Sequence, residues 1–190
     1  MRIIAGQFRS RPLAAPKGTD TRPTSDRLRE TLFNVLAPHI EDSVFLDLYA
    51  GSGAVGIEAL SRGASEAIFV EIAEPALRAI RANLASLGIR GGYLLEPHAI
   101  AAALKRLASA NRTVDIAFLD PPYDDAGEYE STLTLLGGKC LPLLALDAIV
   151  IAEHLKKLSL ANRYGALHLY RNLKQGDSTL SFYSVMGFQG

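Results

Sequence analysis

The sequence predicts an α/β fold with a mainly parallel sheet, helices on both faces of that sheet and an antiparallel hairpin near the carboxyl end. Short apolar runs typical of buried strands alternate with amphipathic helical runs about every ten to fifteen residues between 44 and 153. This alternation is typical of right-handed strand–helix–strand units, which form parallel sheets. The last two strand-like runs have no helix between them, so we expect them to pair antiparallel.

The composition is that of an ordinary folded protein. The chain has 190 residues, of which 48% are hydrophobic and 21% charged, and its formal net charge is zero. These values exclude disordered, collagen-like and coiled-coil chains. The single cysteine, Cys140, excludes a disulfide framework, and the four histidines show no metal-ligand spacing, so no metal is expected. No apolar run approaches the roughly 20 residues of a membrane span. We expect the protein to be a monomer located in the cytoplasm.

The amino-terminal residues differ in pattern from the rest of the chain. Residues 2–13 alternate loosely and are interrupted by Gly6, which predicts a short hairpin. Residues 14–23 are rich in proline, glycine and aspartate and are predicted to form a loop. We therefore expect residues 1–23 to form a hairpin with a basic loop, and residues 24–190 to form the main domain.

The main domain begins with a helix and continues as alternating strands and helices. Thr24 or Ser25 can cap the first helix, whose apolar stripe ends shortly before Pro38. The predicted strands are residues 44–49, 67–71, 93–96, 114–119 and 148–153, and a final hairpin of 166–170 and 179–185 turns at 175–177. The further predicted helices are residues 54–61, 75–86, 100–108 and 129–136. In such folds ligands bind beyond the carboxyl ends of the parallel strands.

A glycine-rich loop follows the first central strand. Gly51, Gly53 and Gly56 form a G-x-G-x-x-G pattern between a strand and a helix, where glycine allows close approach of a ligand. Glu71 ends the next strand, where a carboxylate can bind two ribose hydroxyls. Asp47, before the loop, would repel a pyrophosphate but attract a cationic group. These features favour S-adenosylmethionine over a dinucleotide, although a tight turn whose glycines serve packing alone stays an alternative.

A second motif, Asp-Pro-Pro-Tyr, directly follows the apolar strand 114–119. The two prolines lack backbone donors, so their carbonyl groups can only accept hydrogen bonds. An exocyclic amine could donate one N–H to Asp120 and the other to the Pro121 carbonyl. Tyr123 offers a ring on which a flipped base can stack, worth roughly 1–3 kcal/mol. A plain Asp-Pro turn at the start of a helix is the alternative.

The zero net charge conceals an uneven distribution of charge. Residues 1–29 hold seven basic and two acidic side chains, and residues 154–190 hold five basic and one acidic side chain. The stretch between them holds eight basic and seventeen acidic side chains. Basic termini suit a phosphate backbone and an acidic middle suits a cationic cofactor, although solvated surface charges would give the same counts.

Together these motifs resemble a known family. Asp-Pro-Pro-Tyr with the loop at 47–53 resembles the class I S-adenosylmethionine-dependent amino-methyltransferases. Further blocks narrow the resemblance to the bacterial 16S rRNA guanine-N2 methyltransferase D family. These blocks are residues 22–34 (RPTSDRLRETLFN), 1–6 (MRIIAG), 51–54 with 58–64 (EALSRGA), and 181–183 (SFY). The resemblance covers essentially the whole chain, and the block at 22–34 is its most specific part.

The resemblance implies a Rossmann-like class I methyltransferase fold that binds S-adenosylmethionine and acts on 16S ribosomal RNA or the small-subunit particle. The implied cofactor-binding residues lie at the carboxyl ends of the first three central strands and directly after them: Asp47, Tyr49, Ala50, Gly51, Ser52, Gly53, Glu71, Ile72, His98 and Ala99. The implied catalytic residues are Asp120, Pro121, Pro122 and Tyr123. The candidate RNA contacts lie in the amino-terminal hairpin and the block after it: Arg2, Arg9, Arg11, Arg22, Thr24, Arg27 and Arg29.

One departure from the family pattern affects the cofactor site. Residues 97–99 are Pro-His-Ala, where such enzymes often carry an acidic or amide residue that meets the adenine amine. A backbone contact at His98 or Ala99 is the remaining option.

Three other functions stay open at this point. A DNA adenine-N6 methyltransferase uses the same Asp-Pro-Pro-Tyr chemistry, but the chain has no evident target-recognition domain. A nicotinamide oxidoreductase would leave Asp47 and Asp120 unexplained. A non-catalytic RNA-binding assembly factor would leave the intact motifs without a use. The sequence does not distinguish free RNA from an assembled particle as substrate, and it does not identify the target nucleotide.

Overall fold

The computed structural model describes residues 1–16, 25–121 and 126–185. The chain divides into two compact units, Met1–Ala99 and Ile100–Gly190. Within the described ranges, no helix combines the length and apolar character that crossing a bilayer requires.

The first unit contains three parallel strands and three helices. Strand β2 lies between β1 and β3, and both neighbours pair with it in parallel. The elements are α1 (Asp26–Leu36), β1 (Val44–Leu48), α2 (Ala54–Ser61), β2 (Glu66–Val70), α3 (Glu74–Ser86) and β3 (Tyr93–Glu96). All six were predicted: α2 and β3 have the predicted boundaries, and those of β1, β2 and α3 differ by one residue. The parallel order places the loops after β1, β2 and β3 at the carboxyl ends of neighbouring strands.

Helix α1 shows how the local sequence sets its boundaries. Ser25, one of the two predicted caps, accepts a hydrogen bond from the Leu28 N–H at 3.2 Å. Leu28, Leu32 and Leu36 recur at helical spacing and are buried. The helix ends at Leu36, two residues before Pro38, whose ring nitrogen lacks the N–H that would continue the helical hydrogen bonds.

The second unit contains a mixed sheet. Strand β5 pairs in parallel with β4 and antiparallel with β8, β7 pairs with β8, and the short β6 pairs with β7. The elements are α4 (Ile100–Ser109), β4 (Val114–Leu119), α5 (Ala126–Leu136), a short 3₁₀ helix (Leu141–Leu143), β5 (Leu144–Leu155), β6 (Arg163–Tyr164), β7 (Leu167–Gln175) and β8 (Ser178–Ser184). The predicted antiparallel hairpin is therefore present as β7 and β8.

Two strands of this unit extend beyond their predicted limits, and one was missed. Strand β5 begins four residues early, where Leu146 is 76% exposed and the register against β4 shifts. Strand β7 continues through the mostly polar residues 171–175, which pair with β8 although little of this segment is buried. The two-residue β6 is too short to give a pattern. Hydrophobic periodicity detects buried strands, so these exposed or short segments escaped it.

Residues 1–14 fold back on the first unit, and we call them the N-terminal clasp. The Ile3 N–H donates to the Arg11 carbonyl and the Leu13 N–H to the Met1 carbonyl, and Arg2 forms an antiparallel bridge with Pro12. The predicted hairpin is thus present, with a single bridge in place of regular strands. Ile3 and Leu13 are buried in the same core cluster as residues of α2, β2 and α3. Burying one such side chain contributes roughly 1.5–3 kcal/mol.

Polar side chains of α2 hold the clasp in place. The buried Glu58 carboxylate accepts hydrogen bonds from the Ile4 N–H at 2.8 Å and the Ala5 N–H at 3.0 Å. The Ser61 hydroxyl donates to the Ala5 carbonyl at 2.6 Å. Gly6 has a φ of +80°, and a Cβ at this position would lie 1.8 Å from the Ser61 carbonyl oxygen. The clasp therefore requires glycine both for its backbone conformation and for its close approach to α2.

We predict that Gly6→Ala destabilises the protein by about 2 kcal/mol or more, because it adds a steric clash to backbone strain. Gly88→Ala is the matched control, since Gly88 has a φ of +73° with nothing within 4 Å of an added Cβ, and strain alone should cost about 1–2 kcal/mol. Urea unfolding of both variants measures the difference. Equal losses would contradict the tight contact between the clasp and α2.

Candidate functional site

The glycine-rich loop between β1 and α2 adopts the conformation that its sequence predicts. Tyr49, Gly51 and Gly53 have φ values of +61°, +55° and +75°. Glycine adopts this region without strain, whereas it costs a residue such as Tyr49 roughly 1–2 kcal/mol. The Ala50 N–H donates to the Val70 carbonyl at 3.0 Å, which ties the loop to the end of β2. The loop thus turns sharply at the carboxyl end of the parallel strands.

Gly56, the third glycine of the pattern, serves packing. Its φ lies outside the left-handed region, and a Cβ there would lie 2.4 Å from a ring carbon of Phe69. At Gly51, by contrast, an added Cβ would have no atom closer than 3.9 Å. The alternative interpretation from the sequence, a tight turn whose glycines serve packing alone, therefore applies to Gly56 but not to Gly51.

Asp47 lies in β1 with its side chain buried beneath the loop. It is 2% exposed, and its Oδ2 accepts a hydrogen bond from the Gly56 N–H at 2.8 Å. Burial raises the pKa of Asp47 to about 8, and the charge of Glu71 adds to this while the Gly56 bond opposes it. The sequence suggested a charged carboxylate at the loop mouth. The structure instead shows a buried carboxyl group that supports the start of α2.

Glu71, directly after β2, joins two loops through its carboxylate. Oε2 accepts a hydrogen bond from the Gly51 N–H at 2.8 Å, and Oε1 accepts from the Ile72 and Ala73 N–H groups, each at 2.8 Å. The neighbouring Ile72 side chain is 67% exposed, which is unusual for a large aliphatic residue. An acceptor group and an apolar surface thus lie side by side next to the glycine-rich loop.

The end of β3 carries an acidic residue that the sequence analysis missed. The Glu96 carboxylate, mostly buried, lies 3.0 Å from Nδ1 of the partly exposed His98. Sequence reasoning looked for an acidic residue at 97–99 and found none, whereas Glu96 is the last residue of the strand itself. Ala99 follows as an exposed residue. The imidazole of His98 is thus oriented by a carboxylate.

Asn83 on α3 is a second residue that sequence reasoning missed. It is 2% exposed and bonds to the backbone of Ala14 in the clasp and to the Ser52 carbonyl in the glycine-rich loop. Its position on the apolar stripe with Ile80 and Leu87 was the available signal, because a polar residue on a buried helix face needs hydrogen-bond partners.

The candidate RNA-binding arginines fall into two groups. Arg2, Arg9, Arg11 and Arg27 are exposed, and Arg11 also donates to the Ser86 carbonyl at 2.9 Å. The prediction of an RNA contact at Arg29 is wrong for this structure, because its side chain is fully buried. Arg22 and Thr24 lie outside the described residues.

The buried Arg29 is part of the connection between α1 and the clasp. Its guanidinium donates to the Arg2 carbonyl and to Asp26, and lies 4.0 Å from the Glu58 carboxylate. Burial lowers the pKa of Arg29, opposed by the two carboxylates. The side chain is therefore a structural cation.

In the second unit, Asp120 and Pro121 follow directly after β4, as predicted. Four of the six β4 residues are fully or almost fully buried at their end nearest the motif, Asp120 is half-buried and Pro121 is buried. Pro122 and Tyr123 lie outside the described residues. Across the parts of the chain that the structure describes, no three His, Cys, Asp or Glu side chains form a cluster suited to a metal ion.

His154 of β5 is a buried residue whose two ring nitrogens both have hydrogen-bond partners. It is 3% exposed, with Nδ1 at 3.0 Å from the Leu155 carbonyl and Nε2 at 2.7 Å from the Ser181 hydroxyl. Burial lowers the pKa of His154, which favours the neutral imidazole.

Comparison with known proteins identifies the family. The family model described as conserved hypothetical protein 95 matches residues 1–184. The chain belongs to this family. Ribosomal RNA small subunit methyltransferase D of Escherichia coli K12 is 43% identical over 153 residues, which cover 80% of this chain and 74% of that protein. The predicted relationship to the methyltransferase D family is therefore confirmed.

Two further relatives match this chain over nearly its whole length. A Bacillus subtilis protein provisionally named an rRNA methyltransferase, YlbH, is 34% identical over 187 residues, covering 98% of this chain and 100% of that protein. The solved structure of yhhF from Escherichia coli, provisionally named a methyltransferase, superposes with a TM-score of 0.79 at 37% identity and 96% coverage of both chains. The predicted Rossmann-like methyltransferase fold is confirmed, and the chain is a methyltransferase.

We predict that Asp47 makes the unfolding free energy fall as pH rises from about 5 to about 8. In the unfolded chain its pKa is about 3.9, and in the folded chain it is about 8. Between these two pH values Asp47 holds a proton in the folded state but not in the unfolded state. The stabilisation of the folded state by this proton is therefore present at low pH and is lost as pH rises through the folded pKa.

Asp47→Asn is the comparison variant, because its side-chain oxygen can still accept the Gly56 N–H. Urea unfolding at several pH values should show the wild type losing stability relative to this variant as pH rises. Parallel curves for the two proteins would contradict the raised pKa.

Proposed function

We propose that this chain transfers a methyl group from S-adenosylmethionine to the exocyclic N2 amine of a guanine in 16S ribosomal RNA, either free or within the small-subunit particle. The observation that carries this proposal is the Asp120–Pro121 pair directly after the buried strand β4 in a chain of this methyltransferase family. The name of the Escherichia coli relative, ribosomal RNA small subunit methyltransferase D, supports the choice of substrate.

The residues around the glycine-rich loop suit an adenosine cofactor. A carboxylate has about four acceptor positions, and three backbone N–H groups bind Glu71, so capacity for a ribose hydroxyl remains. The exposed Ile72 offers an apolar surface for an adenine face. The loop itself is formed by Tyr49, Ala50, Ser52 and Gly53. The proposed contacts after β3 are His98 and Ala99. When bound, S-adenosylmethionine supplies an electrophilic methyl group on a sulfonium.

Asp47 contributes to this site through the loop that it supports. Its Oδ2 holds the Gly56 N–H, so a change at Asp47 also affects the start of α2. Because burial disfavours its ionised form, a cationic ligand nearby would stabilise the carboxylate and lower its pKa.

We assign the methyl acceptor to the Asp-Pro-Pro-Tyr motif of the second unit. The Asp120 carboxylate would accept one N–H of the guanine N2 amine, and the Pro121 carbonyl would accept the other. These bonds localise the nitrogen lone pair, which is otherwise delocalised into the base. Tyr123 would stack on the base. Asp120 need not be a strong base, because N2 becomes far more acidic once it is methylated, and its carboxylate can then accept the proton.

The clasp and α1 supply the proposed RNA contacts. Arg2, Arg9, Arg11 and Arg27 are exposed cations on these segments. Phosphate contacts by such side chains position an RNA without reading its sequence. We therefore retain residues 1–23 as an RNA-contact segment of the proposed enzyme, with residues 24–190 carrying the methyltransferase machinery and a cytoplasmic location.

The direct test is methyl transfer by the purified protein. The wild-type chain is incubated with methyl-labelled S-adenosylmethionine and either free 16S rRNA or small-subunit particles, and the RNA is digested to nucleosides. The proposed function predicts label in N2-methylguanosine, and the more active substrate identifies the natural form of the RNA. Label in N6-methyladenosine, or none with either substrate, would overturn the assignment.

We predict that Asp120→Asn lowers the methyl-transfer rate by about 10²-fold or more while S-adenosylhomocysteine still binds, because a neutral amide accepts the N2 hydrogen bond more weakly and cannot take up the proton that N2 loses. Asp147→Asn is the matched control, since Asp147 is an exposed carboxylate in β5. Single-turnover rates and calorimetry measure the two effects. A rate for Asp120→Asn within threefold of the wild type would exclude the proposed role.

We predict that Arg9→Gln and Arg27→Gln each weaken RNA binding and reduce the slope of log affinity against log salt by about 0.7–1, because each removes one phosphate contact. Arg90→Gln removes the same charge from an exposed position after α3 and serves as the control. Salt titrations of RNA binding by fluorescence anisotropy distinguish the variants. An equal effect at Arg90 would indicate a general charge effect in place of specific contacts.

A further inference from the structure

One buried amide joins the clasp to the glycine-rich loop. Asn83 of α3 accepts a hydrogen bond from the Ala14 N–H at 2.8 Å and donates to the Ala14 carbonyl at 3.0 Å. It also donates to the Ser52 carbonyl at 3.0 Å. The side chain of Asn83 therefore uses its carbonyl oxygen and both amide hydrogens on two segments that are far apart in the chain.

The orientation of this amide is fixed by its partners. Ala14 presents an N–H donor and a carbonyl acceptor to the same side chain, so only one placement of the amide oxygen and nitrogen satisfies both. Since Asn83 is 2% exposed, water cannot readily replace a lost partner. A displacement of Ser52 would thus either break a buried hydrogen bond or move Asn83 together with Ala14.

The two segments carry different ligands in the proposed function. Ser52 lies between Gly51 and Gly53 in the loop proposed to receive the cofactor. Ala14 lies at the end of the clasp, after the exposed Arg9 and Arg11 that we assign to the RNA. The core of the first unit connects the same segments, because Leu13 and Ala50 belong to one buried cluster.

We propose that Asn83 is a positioning residue that couples RNA binding at the clasp to cofactor binding at the glycine-rich loop. This inference rests on the proposed function. A ligand that fixes the Ser52 backbone also fixes the Asn83 amide and, through it, the Ala14 backbone. The second ligand then meets a segment that is already ordered and binds more tightly. Because coupling between two binding equilibria is reciprocal, RNA strengthens cofactor binding by the same factor.

The test is a measurement of this coupling factor. Affinity for S-adenosylhomocysteine is determined by calorimetry with and without a 16S rRNA fragment, for the wild type, Asn83→Ala and Ser86→Ala. Ser86 is the matched control, because it lies one turn further along α3 and its hydroxyl donates only to the Asn83 backbone carbonyl. We expect RNA to raise the affinity about fivefold or more in the wild type and in Ser86→Ala, and to leave it unchanged in Asn83→Ala.

A purely structural role for Asn83 would lower stability or both affinities but would leave the coupling factor unchanged. A wild-type factor near one, or an equal factor in Asn83→Ala, would therefore overturn the inference. If S-adenosylhomocysteine fails to bind the wild-type protein at all, the proposed function fails, and that result is distinct from loss of coupling alone.

A second measurement needs no variant and applies if Asn83→Ala does not fold. Hydrogen–deuterium exchange of the wild type should show that S-adenosylhomocysteine slows exchange of the Ala14 amide at least threefold, because the bound ligand would order the Ala14 backbone through Asn83. The Ile89 amide, which donates to the Leu84 carbonyl at the end of α3, serves as the internal control. Equal exchange at Ala14 with and without the ligand would also overturn the coupling.

Discussion

The first unit depends on hydrogen bonds from loop backbone to buried or half-buried side-chain oxygens. The clasp and the glycine-rich loop lie outside the parallel ladder, so most of their N–H groups have no strand partner. Seven backbone N–H groups in these two segments and directly beside them donate instead to the side chains of Glu58, Glu71, Asp47 and Asn83. An unpaired buried N–H costs roughly 1–3 kcal/mol. These four side chains therefore determine whether the loops keep the conformations that the proposed site requires.

The same bonds explain why separate sequence blocks carry the family resemblance together. The block at residues 1–6 folds onto the block at 58–64, because Glu58 and Ser61 bind the backbone around Ala5 and Gly6. Arg29, from the third block, reaches the Arg2 carbonyl and faces Glu58. The blocks thus form one connected structure. The clasp, which sequence alone suggested to be a separate extension, is part of the core that supports the glycine-rich loop.

The parts of the fold that hydrophobic periodicity determines were predictable, and the parts that depend on distant partners were not. The strands and helices of the first unit, and the left-handed glycines at 51 and 53, follow from local pattern and local sterics. Arg29 was misassigned because charge suggests exposure, although its spacing from Phe33 places it on the buried face of α1. Asn83 was missed because its partner Ala14 is 69 residues away. The polar half of β7 was missed because its pairing with β8, and not burial, makes it a strand.

Chemistry and structure converge on a methyltransferase whose acceptor we propose to be a guanine of small-subunit ribosomal RNA. Mass mapping of 16S rRNA from cells with and without this protein tests that claim most directly. We expect that one guanine loses the mass of a single methyl group in the deletion strain and regains it when the wild-type gene is restored. An unchanged methylation pattern, or loss of a methyl group from another type of base, would contradict it.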